Sequence, residues 1–125
     1  MSNPPVKATL ALALASTLLL ACTGVLAQPA PSLQQYLIER EIKGAGAMTP
    51  AQLRDAAQKS NGVLRALGPD IQWVHSYVAG DKIYCVYNAP SEALIKSHAE
   101  QSGFPATRIT LVSAVIDPTS ANPKR

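Results

Sequence analysis

The chain has few of the residues that carry metal and redox chemistry. Its 125 residues hold only two cysteines and two histidines. No Cys-x-x-Cys occurs, which excludes a zinc ribbon or a thioredoxin-like redox site on spacing. Gly-x-Ser-x-Gly, His-Glu-x-x-His and a phosphate loop are also missing, so the common hydrolase, metalloprotease and nucleotide-binding signatures do not apply. Gly44 and Gly46 flank one alanine in a loop ahead of a helix, and no third glycine follows to make a dinucleotide fingerprint. The basic residues are scattered, with Lys124 and Arg125 in a Pro-containing tail, so no phosphate-tracking stripe forms and nucleic acid is not an expected partner.

The chain does contain an apolar leader. Lys7 precedes the run from Ala8 to Ala21, and Val25-Leu26-Ala27 follows just before Gln28. Positive charge, short apolar stretch and small-residue cleavage site together read as a secretory signal peptide over residues 1–27. The run is shorter than the ~20 apolar residues a membrane span needs. Leu19-Leu20-Ala21-Cys22 offers an alternative, a lipoprotein signal in which Cys22 becomes the lipidated first residue and the chain meets the membrane through it. Export to the periplasm or beyond is expected in both cases.

Cleavage leaves one small domain whose modest core makes dimerisation a natural supplement. Lys7 is the only one of the eleven basic residues lost with the leader, leaving a slight positive excess over the eight acidic ones. Either cleavage leaves Cys85 as the one free thiol, so no internal disulfide can form despite an oxidising compartment. The apolar fraction of 47% is inflated by the leader and does not argue for a membrane protein.

Residues 28–35 read as a linker, residues 36–119 as the folded domain and residues 120–125 as a loose tail. Tyr36 to Ile42 alternates and is rich in strand formers. Thr49-Pro50-Ala51-Gln52 is a capping box with proline at the first helical position. Leu53, Ala56, Ala57, Ser60, Leu64 and Leu67 continue at helical spacing until Gly68-Pro69. Ile71 to Val78 and Lys82 to Ala89 flank a Gly80-Asp81 turn and read as a hairpin. Ser91 caps a second helix, Glu92 to about Ser102, and Arg108 to Ile116 reads as a final strand stopped by Asp117-Pro118. The order βαββαβ predicts an α+β, ferredoxin-like domain, with two helices on one face of a four-stranded antiparallel sheet. The other face has no helix to cover it, and if it carries apolar groups it must meet a second subunit or enclose a ligand, pairing through that face being the expectation.

Strand alternation sorts the side chains between the two faces. Pairing Val78 with Ile83 across the turn sets Tyr77 against Tyr84, Ser76 against Cys85 and His75 against Val86. Trp73, His75, Tyr77, Tyr84 and Val86 then share the open face, while Val74, Ser76, Val78, Ile83, Cys85 and Tyr87 lie under the helices. In the first strand, Tyr36, Ile38 and Ile42 face the helices and leave Leu37, Glu39 and Glu41 on the open side. Two carboxylates, an imidazole, two phenols and an indole on one face make a candidate site.

Tyr36-Leu-Ile-Glu-Arg-Glu-Ile42, Ile71-Gln-Trp-Val-His-Ser-Tyr-Val78, Asp81-Lys-Ile-Tyr-Cys-Val-Tyr87, Gly103-Phe-Pro-Ala-Thr-Arg-Ile109 and Val115-Ile-Asp-Pro-Thr119 carry a further signal. Over about residues 36–119 they resemble a family of small bacterial ferredoxin-like proteins, mostly carried as a domain of unknown function and also called the nickel-binding protein family. The resemblance implies a homodimer of ferredoxin-like subunits and a capacity to bind nickel. It transfers no definite ligand set, and the exported leader departs from the family's usual short form.

The candidate metal ligands are His75, Glu39, Glu41, Tyr77 and Tyr84, with His98 as an outlying candidate. Imidazole suits nickel and other late divalent ions, and the carboxylates and phenols supply oxygen. Each also has an ordinary structural reading. Glu39 and Glu41 can form a solvated strand face paired to Arg40 or Arg108, and the tyrosines can be interface aromatics. His98 leans towards the buried side of its helix near the C-terminal end, where a protonated imidazole is favoured. Three functions follow: exported metal storage, buffering or delivery; a small dimeric α+β-barrel enzyme using His75 or Glu41 with Trp73 as a wall; or a non-catalytic interaction module. The first is the leading reading.

Overall fold

The structure, a computed structural model, describes residues 27–122. The leader up to residue 26, with Cys22, and residues 123–125 lie outside the described residues.

The local signals act as the sequence suggests. Thr49 Oγ1 accepts a hydrogen bond from the Gln52 amide at 3.2 Å, while Gln52 Oε1 accepts one from the Thr49 amide at 2.8 Å. Two amides left free at a helix start are thereby satisfied, and helix α1 (Pro50–Leu67) begins. It stops at Gly68, whose φ of 91° few other residues adopt. Ser91 caps helix α2 (Glu92–Ser102) through the Leu94 amide, and left-handed Gly103 ends it.

Four strands, β1 (Gln34–Glu41), β2 (Gln72–Ala79), β3 (Lys82–Ala89) and β4 (Arg108–Leu111), form one sheet in the order β2-β3-β1-β4. All three pairings are antiparallel. Both helices pack on one side, where Tyr36, Ile38, Cys85, Tyr87, Ala89 and Ile95 are buried together. The architecture is α+β and of the ferredoxin-like kind. Cys85 is buried and free. No helix of the described residues is long and apolar enough to cross a membrane.

Two expectations need correction. The last strand ends at Leu111, not Ile116. Among the described residues its one neighbour is β1, which begins at Gln34, so the ladder closes with the Val112 amide donating to Gln35 O at 2.8 Å. Residues 113–116 continue without a partner strand, leaving Val115 72% and Ile116 87% exposed. The second correction is Trp73. Tyr77, Ser76 and His75 pair with Tyr84, Cys85 and Val86 as expected, but Trp73 then pairs with Tyr87. Val74 is an extra residue, a β-bulge that reverses the alternation above it. Trp73 therefore lies on the helix side, stacked on Tyr87 with ring centroids 6.5 Å apart.

Candidate metal centre on the open sheet face

The register arranges the open face in rows. In one, Arg108, Glu39, Tyr84 and Tyr77 lie side by side across β4, β1, β3 and β2. In the next, Thr110, Leu37, Val86 and His75 do the same. Glu41 lies opposite Lys82 in the third. The structure therefore brings Glu39, Glu41, Tyr77, Tyr84 and His75 to one face. His75 is exposed, and the Tyr77 ring meets it edge-on with centroids 4.9 Å apart.

The carboxylates are engaged by cations on the same face. Lys82 Nζ lies 3.4 Å from Glu39 and 3.8 Å from Glu41, and Arg108 Nε lies 3.4 Å from the other oxygen of Glu39. Arg108, not Arg40, is thus the arginine partner of Glu39. His75 stands two strands from Glu39, about 10 Å at the usual strand spacing. Among the described residues no three His, Cys, Asp or Glu side chains converge to hold an ion. The chain thus displays an imidazole and oxygen donors on a common surface, without closing them around a single point.

His98 stands apart from these residues. On the inner side of α2 it is fully buried, with Nε2 3.2 Å from Ser60 Oγ, which also lies 3.2 Å from the Tyr87 hydroxyl. Burial, and secondarily the charge of Arg40, pulls the imidazole below its usual titration range. Burial thus opposes the protonated state that a helix C-terminus favours. Burial likewise pushes the Tyr87 phenol up, opposed by the Ser60 hydrogen bond.

Arg40 is the residue that sequence reasoning misplaced. Alternation puts it on the helix side with Tyr36 and Ile38, and it is only 3% exposed. Its Nε donates to Cys85 Sγ at 3.3 Å and one terminal nitrogen to Pro105 O at 2.7 Å, while Nη2 is buried without a hydrogen bond among the described residues. It lines a cavity of about 260 Å³ between α1 and the sheet. That space exists because α1 presents Ala56, Ala57 and Ser60 there, side chains too short to fill it.

The crystal structure of SCO4226 from Streptomyces coelicolor A3(2) superposes on this fold with a TM-score of 0.55 at 22% identity, covering 66% of this chain and 99% of that one. No curated protein matches the chain. Residues 36–112, from β1 through β4, match the family described as nickel responsive protein SCO4226-like, and the chain belongs to that family.

Proposed function

We propose that this chain is an exported, homodimeric binder of a divalent transition metal, nickel first, acting in storage, buffering or delivery. The observation that carries the reading is the division of labour between its two histidines. His98 is sealed in the core on Ser60, whereas His75 stands in solvent on a helix-free face. That leaves one imidazole free to meet an ion, in a family whose description concerns nickel. Bound nickel is cargo in this reading, coordinated and passed on.

The incomplete constellation within one subunit favours a shared site. A two-fold pairing through the open face presents every donor twice. The Tyr77 ring restrains the orientation of the His75 imidazole, and Lys82 and Arg108 hold Glu39 and Glu41 until an incoming cation competes for them. Leu37 and Tyr77, the latter 63% exposed, supply apolar surface for the pairing. Val115 and Ile116, beyond the end of β4, supply more. The signal peptide, or a lipid on Cys22, would take the dimer to the periplasm or its membrane. The enzymatic alternative needs Trp73 beside His75, and the bulge at Val74 puts those rings on opposite faces.

Calorimetric titration with Ni²⁺ tests the proposal on the mature chain and its His75→Ala variant. Saturable heat in the wild type that His75→Ala lacks is the expected result. Equal heats from both would remove His75 from the account.

A further inference from the structure

The cavity under α1 lies on the opposite side of the sheet from the candidate metal face, and its chemistry is different. Apart from Arg40 its walls are mainly apolar or aromatic, with Leu53, Val78 and Ile83 beside Trp73, Tyr87 and Phe104. A guanidinium keeps its charge at any ordinary pH. Taking such a charge out of water is costly, and buried charges are normally paired with an opposite one. Among the described residues no carboxylate lies within 4.0 Å of Arg40. Its neighbours are a thiol, a carbonyl, the Tyr87 phenol and the Phe104 ring, whose centroid lies 5.8 Å from the guanidinium carbon. Lys59 adds a second positive charge, its Nζ 5.5 Å from the same ring centroid. The site thus has a cation without a carboxylate partner, a donor nitrogen buried beside it without a hydrogen bond, and an adjoining apolar space.

We propose that this cavity is a second binding site, for a small aromatic monocarboxylate whose carboxylate meets Arg40 and whose ring lies between Trp73 and the small residues of α1. Size supports the class of ligand. An engineered apolar cavity of about 150 Å³ accepts benzene, so 260 Å³ accommodates a phenyl ring with a short acid-bearing arm. Charge supports it too, since a carboxylate on the guanidinium makes a charge-assisted hydrogen bond and supplies the missing counter-charge. A phosphate would bring more charge than one donor nitrogen and apolar walls satisfy. The short side chains of Ala56 and Ala57 hold the space open.

Trp73 is the single tryptophan of the chain and forms part of the wall, so its fluorescence reports occupancy directly. The mature chain is titrated with 3-phenylpropionate and, separately, with the uncharged isostere 3-phenylpropanamide. Saturable change with the acid is expected, with the amide at least about tenfold weaker, the factor set by one lost charge-assisted contact. Arg40→Met is expected to bind acid and amide alike. Ala57→Leu, which leaves Arg40 in place and fills the cavity from the helix, is expected to bind neither, and it keeps the test valid if Arg40→Met fails to fold. No response to the acid up to about 10 mM, where a millimolar ligand is nine-tenths bound, would overturn the proposal. So would equal affinities for acid and amide in the wild type, or undiminished binding by Ala57→Leu.

Discussion

Two buried side chains, His98 and Arg40, show how little a residue type says about its role until its surroundings are known. His98 is as good a metal ligand in isolation as His75, yet Ser60 Oγ occupies its Nε2 and the core surrounds the rest. Its lowered titration range has a thermodynamic consequence with a definite sign. The unfolded chain, with an imidazole near 6.5, takes up a proton more readily than the folded one. This group's contribution to stability is therefore complete above about pH 6.5 and is lost as pH falls through that value towards the folded-state one. The thermal midpoint is expected to drop between about pH 7 and pH 5, and His98→Asn to flatten that drop. Identical slopes in the two proteins would show that the imidazole is not the group responsible. Alternation alone puts Arg40 on the helix side with Tyr36 and Ile38, a signal missed when it is read only as an ion-pair partner for Glu39 and Glu41. That it would sit there without a carboxylate was not legible, because the absence of a partner depends on every element packed around it.

The elements were written plainly wherever a local hydrogen bond defines them. The capping box at Thr49 and Gln52, the Ser91 cap and the glycine stops at Gly68 and Gly103 are short-range devices, and each is in place. Thr49→Ala is expected to cost about 1 kcal/mol, read as a lower urea midpoint with an unchanged slope. An unchanged midpoint would mean the cap is redundant in this fold. The hairpin register was legible for the same reason, since the Gly80-Asp81 turn fixes it from Lys82 upwards. The bulge was not anticipated, although a trace of it is present. Ile71 and Trp73 are in phase with each other, Ser76 and Val78 are in phase with each other, and the two pairs are one residue out of step. Two helix-facing pairs of opposite parity in one strand require an extra residue between them, and Val74 supplies it. The truncation of β4 was hidden because its residues are good strand formers as far as Ile116. What limits the strand is its neighbour's length.

In the whole molecule, the sheet has one face committed to the core and one face uncovered, and the proposed metal function belongs to the second. Leu37, Tyr77, Val115 and Ile116 are all exposed in the single chain. The account expects a dimer in solution and expects Leu37→Glu to shift it towards monomer in sedimentation equilibrium, with far-ultraviolet dichroism unchanged because that face carries none of the core. A wild-type chain that sediments as a monomer at all concentrations would contradict the shared-site arrangement.

The most direct measurement is X-ray absorption at the nickel edge, on the mature protein loaded with one equivalent of Ni²⁺ per chain. The account predicts a first shell of nitrogen and oxygen with the outer-shell signature of imidazole, retained in His98→Asn and lost in His75→Ala. A shell containing sulfur, or an imidazole signature that survives His75→Ala, would contradict it.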